Sequence, residues 1–285
     1  MSISGTGTQA DPFIVDEWAD FVTAITTADA YVEVDTSEVS VWDFPKIVEG
    51  GITSAITITA AEIDGKGLTI KGLFGTASQW FQHSSTNTLL VIKNLNFLDF
   101  SKSAVSSSGV FYGTNTEFRR CKFSGEIEGG EVIRQSGNTA NITCTTGTLD
   151  GQDPKGCSFA IKFSGNAKLC TNSYAVFKHC NFNFDGSSTS SMAAKFHDCK
   201  ISGAMPWASF TNAGGGQNVI DADISAIGTW SNTSGGVTLV NTDKLASGLS
   251  VPTGFTGVTS AQMLDVDALA AVGFIAVEES EPSGE

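Results

Sequence analysis

Charge is scarce in this chain: Asp, Glu, Lys and Arg make up 16% of 285 residues, against about a quarter in ordinary globular domains. Proline is scarce as well, at six, and basic residues are outnumbered, 16 against 30 acidic ones, for a net charge of −14. An acidic surface repels phosphate backbones and anionic headgroups, so neither nucleic acid nor a membrane surface is expected as a partner. No apolar run approaches the ~20 residues that a spanning helix needs. The opening MSISGTGTQADP has no basic n-region and no apolar h-region. A classical export signal is therefore not expected, and synthesis in a cytoplasm is. Cys-x-x-Cys pairs are missing, so no zinc site is expected. No glycine-rich phosphate loop precedes a helix; Gly214-Gly215-Gly216 and Gly235-Gly236 read as turns.

What is present is 31 glycines amid abundant Ser, Thr and Asn. That mixture favours tight turns and strands over long helices, and points to an all-β class. The length suffices to bury a core without disulfides or metals as staples. One apolar pattern recurs, with spacings of three and then two. It reads Ile92-Leu95-Phe97, Phe118-Cys121-Phe123, Phe177-Cys180-Phe182 and Phe196-Cys199-Ile201. Val219-Ala222-Ile224 and Val237-Val240-Thr242 are weaker copies. Steps near 20 residues with variable loops suit a solenoid, specifically a right-handed single-stranded parallel β-helix. The last two positions follow strand alternation, and the gap before them accommodates a corner.

Stacking these turns at about 4.8 Å would set Cys121, Cys180 and Cys199 in one internal column. Leu95 and Ala222 would lie at equivalent positions, and Phe118, Phe177 and Phe196 would form a second column. Cys144, Cys157 and Cys170 complete an even count of six. In a chain expected to fold in a reducing compartment, buried thiols acting as small apolar side chains are the simpler reading.

The ends differ. In DPFIVDEWADFVTAITTAD, Ile14-Val15 reads as a strand and Asp16 as an N-cap. Trp18, Phe21, Val22 and Ile25 give one apolar helix face. In TSAQMLDVDALAAVGFIAV, Thr259 or Ser260 caps a second helix with Met263, Leu264, Leu269 and Val272 as its apolar positions. Gly273 stops that helix, and Phe274, Ile275 and Val277 suit a last strand. The expected organisation is a strand-and-helix cap over 1–45, a β-helix over 46–250, and a helical cap with an acidic tail over 251–285. Helical caps at both ends cover the open turns of a solenoid.

GTGTQADPFIVDEWADFVTAI resembles the opening segment of pectin-lyase-like β-helix proteins found in phage virions and on bacterial surfaces. SAQMLDVDALAAVGF is similar to a terminal helix-plus-Gly-Phe element in some of them. The resemblance implies a virion location: a tail fibre or spike, an appendage or a head decoration, acting in assembly or host attachment. It implies homotrimers, with other virion proteins and host-surface polysaccharide as partners. A bacterial surface adhesin on the same fold is an alternative.

The fold also hosts enzymes. A polysaccharide depolymerase needs two positioned carboxylates. Asp221 and Asp223 share a strand face and are the best catalytic candidates, although solvated surface charge explains them more simply. Glu62 with Asp64, Asp150 with Asp153, and Asp198 are weaker. Asn241-Thr242-Asp243 matches one polygalacturonase-like motif, and its three companions are missing. Non-enzymatic function is therefore expected, with no cofactor and no metal. His179 and His197 suit a surface pair, too few for a metal. Trp80, Trp207 and Trp230 lie in loop-like stretches and are candidate binding aromatics, able to stack on sugars or fill an interface.

Overall fold

The computed structural model describes residues 3–83, 85, 88–103, 109–135, 142–145, 156–170, 175–224, 227–232, 236–245, 248–251 and 253–274. Their strands form three stacked faces, two of ten strands and one of five. All strand pairings are parallel. Among the described residues, only the isolated bridges Ser4–Ile14 and Thr8–Asp11 run antiparallel. This is a parallel β-solenoid. The stacked strands run from Phe13–Val15 to Thr256–Val258, beyond both ends of the 46–250 span expected for them.

The recurring triplet builds one corner of each rung. In strand Thr116–Arg119 of the first face, Phe118 points inward. Arg120 then turns the chain with φ of 53°, Cys121 points inward, and strand Lys122–Glu128 opens the third face with Phe123 inside. Asn94, His179 and Asp198 hold the same left-handed corner, at φ of 53–54°. Non-glycine residues rarely adopt this region, with Asn, Asp and His the usual exceptions. Each corner thiol faces a carbonyl of the preceding rung. Cys121 donates to Ile92 O at 3.5 Å, Cys157 to Phe118 O at 3.4 Å, Cys180 to Cys144 O at 3.4 Å and Cys199 to Phe177 O at 3.3 Å. Cysteine is small enough for the corner and is a weak donor there.

Register fixes the columns. Phe97, Phe123, Phe159 and Phe182 are successive partners. Their rings stack at 5.5, 4.8 and 5.1 Å, tilted by 18°, 6° and 11°. Ile201, Ile220 and Val240 continue the row. Phe118, Cys144, Phe177 and Phe196 form the neighbouring column. Cys121, Cys157, Cys180 and Cys199 lie one position before the third-face strands and form their own column, with Leu95 below. Its next member is Asn218, not Ala222, because Lys200 pairs with Val219. Buried Asn218 accepts from Cys199 N at 3.1 Å and donates to Phe196 O at 3.1 Å. A polar side chain thus takes over the satisfaction of buried backbone groups that thiols serve below.

At the first end, Phe21, Ala24 and Ile25 of helix Trp18–Ile25 are buried, and Trp18 meets Phe44 edge-on at 5.0 Å. The N-cap is Glu17 rather than Asp16, and its side chain makes no capping bond. At the other end, Phe255 packs on Trp230 at 5.0 Å, with Leu245 and Val251 against the core. Helix Val266–Ala271 is capped by Asp265, which accepts from Asp267 N and Ala268 N at 3.0 and 3.1 Å. Thr259 opens only the preceding 3-10 turn, accepting from Gln262 N at 3.2 Å. Leu264 is 88% exposed rather than part of an apolar helix face. Ile275, Val277 and the acidic tail lie outside the described residues.

Candidate functional site

The outer side of the third face, one of the two ten-stranded faces, carries two recesses. One outward row runs Ser124, Ala160, Asn183, Ser202, Asp221. Its small members leave a groove of about 490 Å3 beside Asp99, Ser101, Glu126, Lys162 and Asp185. The floor is kept low by Gly125, where a Cβ would stand 2.3 Å from Phe100 O. Glu126 pairs with Lys162 at 2.9 Å, and Asp99 with Lys71 at 3.6 Å.

Further along the same face, a cleft of about 430 Å3 opens beneath the C-terminal segment. Lys200, Asp221, Asn241 and Lys244 line one side, and Met263, Leu269 and Phe274 the other. Asp221 takes Lys244 Nζ at 2.8 Å and Asn241 Nδ2 at 2.7 Å. Partial burial pushes this carboxyl up. Hydrogen bonds from Lys244 and Asn241, with the lysine charge, outweigh that and hold it below its ordinary value. A carboxylate so held is ionised at neutral pH and unsuited to donate a proton as general acid. Asp223 is exposed, two residues on, with buried Ala222 between. Of the two aspartates, only Asp221 lines the cleft. Asn241-Thr242-Asp243 has a local structural role: Asn241 Oδ1 accepts from Asp243 N at 3.0 Å, and Asp243 accepts from Ser260 N at 2.8 Å.

Two of the three expected binding aromatics are interior residues instead. Trp80 and Trp207 lie on strands Gln79–His83 and Trp207–Asn212 and are wholly buried. Trp207 packs between Phe163 at 5.2 Å and Phe184 at 5.0 Å. Each indole fills the interior and presents no face to a sugar. Trp230 is half-buried against Phe255.

The other candidates have structural partners. Asp64 is mostly buried and receives Asn94 Nδ2 at 3.0 Å and Lys66 Nζ at 3.2 Å. Lys93 bridges it to Glu62, at 3.5 and 2.8 Å. Asp198 accepts from Gln217 N at 2.7 Å. His197 Nδ1 accepts from Gly215 N at 3.2 Å. Burial pushes its basicity down, helped by Lys178. Among the described residues, no group of three or more His, Cys, Asp or Glu is placed to hold a metal. Asp150 and Asp153 lie outside the described residues.

All six cysteines are buried thiols outside any disulfide. Burial pushes the Cys121, Cys144 and Cys180 thiols well above the ordinary value. Reactivity requires an accessible thiolate. The native protein is expected to take up no maleimide at neutral pH, and six equivalents once unfolded. Rapid native labelling, read by intact mass, would contradict the buried column.

Two features had no sequence signal. Lys102 occupies an inward position, and several lysines distant in sequence converge on one corner; both depend on register. Comparison with family models, curated proteins and solved structures finds no match to this chain.

Proposed function

We propose that the chain is a non-enzymatic structural protein of a bacteriophage virion, a tail fibre, spike, appendage or head decoration. It acts as a homotrimer in assembly or host attachment, with other virion proteins and host-surface polysaccharide as partners. One observation carries this reading. An unbroken inward column links nine of the ten strands of the third face, from Trp42 through Phe123 to Val240, making one rigid unit. Its ten strands at about 4.8 Å per step span only ~43 Å, which suits a short appendage or one module of a larger assembly. The resemblance of GTGTQADPFIVDEWADFVTAI to virion β-helix proteins gives the setting.

Sedimentation equilibrium on the purified chain tests it, with a trimer expected. A strict monomer with no affinity for virions or host cells would overturn it. The cleft at Asp221 keeps a second reading in view, depolymerisation of a host polysaccharide. If Asp221→Asn abolishes cleavage of capsule polymers by a chain that otherwise cleaves them, that second reading replaces the first.

A further inference from the structure

The cysteine column brings thiols together in pairs that are distant in sequence. Cys180 and Cys199 each stand one position before a third-face strand, Asn181–Gly186 and Lys200–Ala204. Those strands pair with Asn181 opposite Lys200. Stacking therefore sets the two cysteine Cα atoms about 4.8 Å apart, inside the ~4.4–6.8 Å that a disulfide spans. The side chains converge as well. Cys199 Sγ points back to Phe177 O at 3.3 Å, in the strand that leads into Cys180. The Cys180 thiol meets the Cys199 thiol directly, and meets that of Cys157 on its other side. The rung that joins Cys180 to Cys199, residues 181–198, is described throughout.

Cys199 differs from the other members in two ways. It ends the column, because the next inward position belongs to Asn218, which accepts from Cys199 N at 3.1 Å. In the column its only thiol neighbour is thus Cys180. It is also the most exposed of the six cysteines, at 2% against 0–1% for the rest. A water-sized, uncharged oxidant reaches such a sulfur through small openings of the corner that exclude a maleimide ring.

We propose that Cys180 and Cys199 are a latent disulfide pair, closed by a peroxide and fastening two successive rungs at the corner. This goes beyond the structural reading above and stands without it. Cys199 sulfur attacks the peroxide, the O–O bond breaks, and a sulfenic acid and one water form. Cys180 sulfur then displaces the hydroxyl, its proton leaves with that oxygen as a second water, and the S–S bond closes. Two thiols are oxidised and one peroxide is reduced. Burial pushes the Cys180 thiol up, which suits it to the second step, where its partner is already in contact. A chain made in a reducing compartment stays open, and one carried into an oxidising medium closes.

Peroxide treatment of the native full chain tests it, followed by unfolding, alkylation and peptide mapping. The treated chain should hold two fewer alkylatable thiols than the six of the reduced chain. Tryptic peptides 179–195 and 196–200 should be joined, and dithiothreitol should part them. The unfolding equilibrium constant of the bridged chain should fall at least ~10-fold, because the bridge restricts the unfolded chain. Cys199→Ser should abolish the loss of thiols, while Cys121→Ser should still form the same joined peptides. Six thiols remaining after treatment, or a bridge between any other pair, would overturn the proposal. So would thiol loss that persists in Cys199→Ser, or a bridged chain no more stable than the reduced one.

Discussion

Phe123→Ala is expected to lower the unfolding free energy by about 3–5 kcal/mol, the usual range for removing a buried phenylalanine. Phe123 is 1% exposed and sits mid-column. Its ring stacks on Phe97 at 5.5 Å and Phe159 at 4.8 Å. It also meets Phe118 edge-on at 5.5 Å and Phe111 at 6.0 Å. Truncation removes transfer energy and leaves a cavity between two rungs whose backbones are tied by ladder bonds and cannot collapse freely. In a solenoid each rung is held by its neighbours, so the loss falls on both interfaces. Phe123→Leu, which keeps most of the volume, is expected to cost well under half as much. Denaturant titration of the pair checks this. A loss below about 1 kcal/mol for the alanine variant would mean that the column does not carry the stability assigned to it.

The second large effect concerns Lys102. It lies in register with Ile127 and then Phe163, in an otherwise apolar inward row. Its side chain is buried, with Nζ donating to Ala77 O at 2.8 Å and standing 4.7 Å from the Trp80 ring centre. Burial lowers its pKa from the ordinary 10.5 to about 8. The unfolded chain keeps this proton up to about 10.5, whereas the folded chain releases it near 8. Between those values the unfolded state binds more protons, so this group makes stability rise with pH. At ~1.4 kcal/mol per pH unit, and allowing for solvent screening, the rise amounts to about 1–3 kcal/mol. Lys102→Met removes the titration. The unfolding free energy of wild type minus that of the variant should climb by this amount from pH 7 to pH 10.5. A difference that stays flat would show that the ammonium reaches solvent or an anion.

The sequence revealed most where side chains serve the rung in the same way each time. Phe118-Cys121-Phe123 and its copies were legible because their spacing encodes the corner, an inward residue on each side of one left-handed turn. The pattern slipped at Val219-Ala222-Ile224. There the Gly214–Gly216 corner changes the phase, and the inward position belongs to Asn218, which an apolar search passes over. Trp80 and Trp207 read as loop aromatics because their strands are short and flanked by Ser, Gly and Asn. Only the stacking of rungs shows both indoles inside. Leu264 fits a helical apolar stripe, yet the helix starts two residues later, at Val266. Lys122 and Lys200 are far apart in the chain, and only the register of the third face sets them in one outward row, three rungs apart. Asp221 was visible as a carboxylate, while its partner Lys244 was not, because a 3-10 turn beyond the next strand brings that lysine back.

The central claim, that this rigid solenoid is a building block of a phage particle, is tested most directly by the protein composition of purified virions. The particles would come from cells that carry the gene and would be quantified by mass spectrometry. The account predicts that the chain copurifies with intact particles at fixed stoichiometry, in a copy number divisible by three. Its absence from particles while it is abundant in the same lysate would contradict the account.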